Sequence, residues 1–216
     1  MHDMLQLERV RVAIQGADVL RGVSFSVPRG SLVALVGRNG AGKTTTLRSV
    51  MGLLALAEGR ISVDGGDLAG IAAFQRAQLG IGYLPEDRRL IGQLTVADNL
   101  LLPAWAAGRA HALQRLEHVQ RMMPEIGALA ERRAAQLSGG QQKIAALARA
   151  LMSAAKLLLL DEPFEGLSPG LGEKLAATIC EVQRSGVSVL LAESDVKRVG
   201  FAERIYTIER GQIVQP

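Results

Sequence analysis

Apolar and polar residues alternate at Leu5, Leu7, Val10 and Val12, and again at Val23, Phe25 and Val27, the spacing of two strands with one face in water. Leu32 to Val36 is a different kind of run, apolar throughout, as expected of a strand buried on both faces. A helix is expected from Thr44 to about Met51. Gly59 to Gly65 reads as a short strand closed by a turn, about Ile71 to Leu79 as a helix, and Ile81 to Leu84 as a strand stopped by Pro85. From Thr95 to Ala154 the period becomes helical, with Thr95 as N-cap and breaks expected near Pro103, Pro124 and Ser138. Strands return at Leu157–Leu160, Val187–Ala192 and Ile205–Ile208, alternating with helices at about Pro169–Arg184 and Val196–Phe201. The pattern predicts one α/β domain over residues 1–216 with a mostly parallel sheet and an antiparallel β part near the N-terminus. Its core spans about 1–85 and 155–216, interrupted by a helical subdomain at about 86–154.

Composition narrows the function classes. With 216 residues and 48% hydrophobic content the chain can bury a good core, and 21% charged residues is ordinary for a folded domain. The net charge of +4 is spread along the chain and aromatics are only 3%, which leaves no basic arm and no base-stacking platform and argues against a nucleic-acid partner. No apolar run approaches the roughly 20 residues that span a bilayer, and the start of the chain lacks a signal-peptide pattern, so a soluble chain is expected. Cys180 is the single cysteine and reads as core filler; His2, His111 and His118 lack metal-ligand spacing.

Three stretches carry chemistry. Gly37-Arg38-Asn39-Gly40-Ala41-Gly42-Lys43-Thr44-Thr45 follows the buried strand directly and forms a phosphate-binding loop. Its backbone amides suit the phosphates of a nucleoside triphosphate, Lys43 reaches the β/γ-phosphates, and the Thr44 hydroxyl ligates Mg²⁺. Leu157 to Leu160 then ends in Asp161 and Glu162, at the carboxyl end of a buried strand where ligand chemistry belongs. Asp161 fits a residue holding Mg²⁺ through water, and Glu162 one that polarises the attacking water. Ser138, with Gly139, Gly140 and Gln141 behind it, caps a helix whose bare amides make a second anion site. Each has a bland alternative: a turn without ligand, a strand ending in solvated acids, an ordinary loop-to-helix junction. All three together, in this order, favour an ATPase.

The loop at Gly37–Thr45, Leu137-Ser138-Gly139-Gly140-Gln141-Gln142 and Leu157-Leu158-Leu159-Leu160-Asp161-Glu162-Pro163 together resemble the nucleotide-binding subunit of an ATP-binding-cassette (ABC) transporter, along essentially the whole chain. The resemblance implies a P-loop ATPase core that takes ATP and Mg²⁺. It implies two such domains head to tail, with Lys43, Thr44, Asp161 and Glu162 acting on the chain's own ATP and Ser138, Gly139, Gly140 and Gln141 on the partner's.

Gly82-Tyr83-Leu84-Pro85-Glu86-Asp87-Arg88-Arg89, Leu94 to Leu100 and Asp161 to Pro169 resemble the second ATPase subunit of branched-chain amino acid importers. That implies a peripheral subunit at the cytoplasmic face of the inner membrane, paired with a second ATPase subunit (a heterodimer, or alternatively a homodimer). Two membrane permease subunits and, indirectly, a periplasmic solute-binding protein complete the assembly. Import of urea or short amides, or a soluble non-transport ABC ATPase, are the alternatives. The chain departs from the family at Glu86, where a glutamine is usual but a carboxylate can still ligate Mg²⁺, and at Ser194, where a histidine is usual. Ser194 can bond the γ-phosphate without carrying charge. Ile14 stands where an adenine-stacking aromatic is expected. Trp105 reads as local packing in the region that meets the permease in the family.

Overall fold

The apolar run Leu32–Val36 (β3) lies in the middle of a six-stranded sheet in a computed structural model that describes residues 3–107 and 112–215. His2 and His111 fall outside the described residues. The sheet order is β10-β9-β3-β8-β7-β6, where β6 is Ile81–Leu84, β7 Leu157–Asp161, β8 Ser188–Glu193, β9 Arg204–Glu209 and β10 Gln212–Gln215. All neighbours are parallel except the β9–β10 hairpin. A second, antiparallel sheet has the order β2-β1-β4-β5, from β1 Asp3–Ile14, β2 Ala17–Pro28, β4 Glu58–Val63 and β5 Gly66–Asp67.

The central strands are apolar throughout because both their faces are covered. Leu32, Ala34, Val36, Leu158, Leu160, Val189 and Leu191 pack into a core shared with the helices, among them Val96, Leu100, Ile126 and Leu147. Val33, Leu35, Leu157, Leu159, Leu190 and Ala192 face the other way, into a core shared with the antiparallel sheet and with Leu47 and Val50 of α1 (Lys43–Val50). Alternate residues of one strand therefore serve two cores. In β1 the apolar spacing lengthens from two to three between Leu7 and Val10, and a bulge there, with Arg9 at φ 48°, returns Val10 to the buried face opposite Val23.

The helices between β6 and β7 are α3 Val96–Ala107, α4 Ala112–Met122, α5 Pro124–Leu129 and α6 Gly139–Ser153; α2, Ala73–Gln78, precedes β6. Thr95 caps α3 as expected, its hydroxyl accepting from Asp98 N at 3.0 Å. Pro103 does not break α3. A proline inside a helix costs about 3 kcal/mol, and the burial of Val96 and Leu100 in the helical core outweighs it. The helix expected at Val196–Phe201 is a single 3-10 turn, Val196–Val199, so α7 (Pro169–Arg184) is the last α-helix among the described residues. Strands β5 and β10 had no mark in the sequence pattern: each exists through pairing with a neighbour. Cys180, on α7, is half-buried, not core. Among the described residues no helix is long and apolar enough to cross a membrane.

Candidate functional site

The phosphate-binding loop is shaped by what flanks it. Gly37 N donates to Glu193 O at 3.2 Å, prolonging the β3–β8 register into the loop, and a Cβ on Gly37 would lie 2.3 Å from Ile208 O. Only glycine fits there. Gly42, at φ 115°, caps α1 without any side-chain hydrogen bond, which leaves the first amides of the helix for an anion. The turn between β9 and β10 braces the loop from behind: Gly211 N donates to Ala41 O at 2.9 Å while Arg21 N donates to Gly211 O at 2.8 Å. Arg38, Asn39 and Gly40 stand exposed at the tip.

Two buried strands bring their carboxyl ends to this loop. The Thr44 hydroxyl donates to Asp161 Oδ1 at 3.0 Å, and Tyr83 OH donates to Oδ2 at 3.3 Å. Burial pushes the Asp161 carboxyl up to about 6; the Thr44 and Tyr83 hydrogen bonds pull against this, and the charge of Glu86 adds to it. The Tyr83 phenol is raised in turn, by burial and by the Asp161 charge. Lys43 Nζ donates to Gly37 O at 2.6 Å and lies 3.0 Å from Glu162 Oε1, both side chains being buried. Glu162 sits at φ 47°, in the left-handed region, at the point where the chain leaves β7.

Ser194 donates through both its amide and its hydroxyl to Glu162 Oε2, each at 3.2 Å. It therefore orients Glu162, a contact the sequence did not suggest. Glu193, fully buried, accepts from Phe164 N at 3.1 Å, and among the described residues its other oxygen has no hydrogen-bond partner. A proton on Glu193 supplies the missing donor. Burial first, then the hydrogen bond shared with Glu162, raise Glu193; Glu162 is lowered, burial working against the Glu193, Lys43 and Ser194 hydrogen bonds that favour its charge. The charge of the pair rests on Glu162.

A cleft of about 310 Å³ opens here, lined among others by Asn39, Gly40, Gly42, Lys43, Thr44, Thr45, Glu86, Glu162, Glu165 and Ser194. Glu86 also shares a second wall with Thr44 and Asp161. Thr44, Asp161 and Glu86 are hard oxygen donors of the type Mg²⁺ prefers. Ile14 is not in this lining: it ends β1 and is 39% exposed, whereas Val19 on β2 supplies the apolar wall. Glu193 was findable by the argument that found Asp161, since it too ends a buried parallel strand. Val19 left no comparable signal.

Ser138, Gly139, Gly140 and Gln141 do not join the cleft. They begin α6 on the surface, where Gln141 N donates to Ser138 Oγ at 3.3 Å and Ser138 N to Gln141 Oε1 at 3.0 Å, a reciprocal capping box. Trp105 lies in α3 by its backbone.

Comparison with known proteins agrees with this geometry. The ABC transporter family profile matches residues 20–165. The high-affinity branched-chain amino acid transport ATP-binding protein BraG of Pseudomonas aeruginosa is 35% identical over 98% of this chain and 91% of its own. The lipopolysaccharide export system ATP-binding protein LptB of Haemophilus influenzae is 33% identical over 98% and 89%. The dimeric post-hydrolysis structure of the ATP-binding cassette MJ0796, bound to ADP and Pi, superposes with a TM-score of 0.88 at 25% identity, covering 98% of this chain and 97% of that one. With its phosphate loop, its paired acids and these matches along its length, the chain belongs to the ABC transporter family, as an ATP-binding and ATP-hydrolysing subunit.

Proposed function

We propose that this subunit powers import of branched-chain or related amino acids through a membrane permease. The observation that carries the ATPase half is the convergence of four side chains: Thr44 on Asp161 and Lys43 beside Glu162, each at 3.0 Å. ATP lies with its phosphates on the amides of Gly37 to Thr45. Thr44 and Asp161, with Glu86 beside them, would hold Mg²⁺, which would neutralise phosphate charge. Glu162 orients a water and takes its proton as the water oxygen bonds to the γ-phosphorus and the bridging P–O bond breaks, leaving ADP with the electron pair. Lys43 steadies the γ-phosphate and Ser194 keeps Glu162 aimed.

BraG and the stretch Pro85 to Arg89 support the amino-acid reading; LptB, at nearly the same identity, supports export of a lipid as the second. The dimer seen for MJ0796 supports pairing with a second such domain; the family resemblance then implies that Ser138 to Gln141 meet the partner's ATP. We infer a heterodimer with a second ATPase subunit, bound to two permease subunits at the cytoplasmic membrane face and served by a periplasmic binding protein. Reconstitution with its permeases in liposomes tests this. Hydrolysis stimulated by a leucine-loaded binding protein is the expected result; stimulation by lipopolysaccharide alone would replace the import reading. Glu162→Gln should trap ATP and slow turnover, and unchanged steady-state hydrolysis would mean that another group orients the water.

A further inference from the structure

Lys143 shares its face of α6 with Ala146, Leu147, Ala150 and Leu151, all buried and apolar. Its own side chain is 1% exposed. The ammonium group donates to Glu162 O at 2.6 Å and to Glu165 O at 2.9 Å, so both partners are main-chain carbonyls of the turn that follows β7. Further along α6, Arg149 grips the turn that follows β6 in the same way, donating to Arg89 O at 2.6 Å and Arg88 O at 2.7 Å.

Three of the four carbonyl owners share a conformation. Glu162 (φ 47°), Arg88 (φ 60°) and Arg89 (φ 50°) are non-glycine residues in the left-handed region. Such residues persist where surrounding contacts over-determine them. Buried ammonium groups are expensive, and burial does pull Lys143 below its ordinary range. A methionine would fill the same volume without that cost. What a methionine lacks is the hold on the turn.

We propose that Lys143 is a positioning residue for ATP hydrolysis: it clamps the Glu162–Glu165 turn to the helix that begins at Ser138 and so sets the aim of the Glu162 carboxylate. The inference rests on the reading of Glu162 as the water-orienting residue. It gives α6 two faces of action. The N-terminal turn, Ser138 to Gln141, points outward; Lys143, just over one turn along, points inward to the chain's own acid. A displacement of α6 by whatever docks on Ser138 then reaches Glu162 through one side chain.

The test is steady-state hydrolysis by the full chain in its assembled transporter, with binding of a fluorescent ATP analogue and thermal melting measured in parallel. Lys143→Met should lower kcat by about tenfold, the scale of a small misplacement of a catalytic group. KM and analogue affinity should stay within about twofold of wild type, because the contacts of the phosphate loop are untouched. Lys143→Arg, which keeps charge and donors, should recover most of the rate. In a Glu162→Gln background, Lys143→Met should cost nothing further, since the two act as one unit. Wild-type kcat in Lys143→Met overturns the proposal, as does an equal loss in both backgrounds or a failure of arginine to rescue. If Lys143→Met does not fold, Lys143→Gln takes its place, with the same split expected in smaller measure and wild-type kcat again overturning it. Glu162→Gln alone reports on the other reading: unchanged hydrolysis there removes Glu162, whatever Lys143 does.

Discussion

Helices α1 and α6 both begin at glycine-rich turns whose amides face outward, yet the two turns are finished differently. At α1 the cap residue, Gly42, offers no side chain, and the surroundings are completed by the same chain: Lys43 and Thr44 meet Glu162 and Asp161 at 3.0 Å. At α6 the cap residue is Ser138, whose hydroxyl and Gln141 satisfy each other, and the neighbours of the turn include Leu171 and Arg88, which donates to Gln142 Oε1 at 3.2 Å. On the function proposed above, the first turn binds nucleotide within this chain, and the second waits for a partner's surface to complete the hydrolytic geometry.

The comparison can be broken most severely at the open turn. Ser138→Arg, which crowds it, should reduce hydrolysis in the assembled transporter on the order of a hundredfold, the scale of losing a preorganised donor. ATP binding by the isolated chain should be unchanged; a matching loss of binding would mean the two turns are not independent. At the closed turn the pattern inverts. Lys43→Ala should weaken nucleotide binding by the isolated chain about 10- to 100-fold, since a hydrogen bond to a charged group contributes about 1.5–3 kcal/mol. Equilibrium titration with a fluorescent ATP analogue measures it.

These two turns were also the most legible part of the sequence, because each is built from residue types that only one local geometry tolerates. Gly37 and Gly42 are glycines for reasons of space and φ, and Asp161 ends a strand that had to be apolar. The central strands were readable for the same reason. What escaped was whatever depends on a distant backbone. Lys143 serves two carbonyls, and a carbonyl leaves no mark on the residue type that owns it. Strands β5 and β10 exist by pairing, and α3 runs through Pro103 because its buried face outweighs a lost hydrogen bond. Val19 lines the cleft, and a valine on a strand carries no mark of that place.

A smaller effect sharpens the electrostatics of the closed turn. Asp161 titrates near 6 when folded and near 3.8 as a free side chain, so between those values the folded state holds the extra proton. Its contribution to stability is therefore present at low pH and lost as pH rises through about 6, amounting to about 1 kcal/mol between pH 5 and pH 7. Denaturant midpoints of wild type and Asp161→Asn at those two pH values give the difference; a wild-type chain that gains on the variant as pH rises would reverse this sign. The smallest effect concerns the base. Val19→Tyr should tighten ATP about threefold by stacking, less than the 1–3 kcal/mol seen for bases on aromatic rings, because the position is only partly enclosed. Ile14→Tyr should leave affinity unchanged. The opposite pair of results would return the base to Ile14.

The brace between Gly211 and Ala41 has a consequence for how the protein is made. The phosphate loop leaves the ribosome early, but the amide that fixes Ala41 and the carbonyl that fixes Arg21 belong to a turn translated long afterwards, together with β8 and β9, which hold β3 on either side. Until that turn emerges, the loop has its sequence without its shape. Capture of ATP by a nascent chain should switch on late and abruptly, as arrested chains lengthen past Gly211, and a gradual rise with length would show that the loop needs no such brace. Vectorial synthesis then leaves the half-made subunit unable to hold nucleotide.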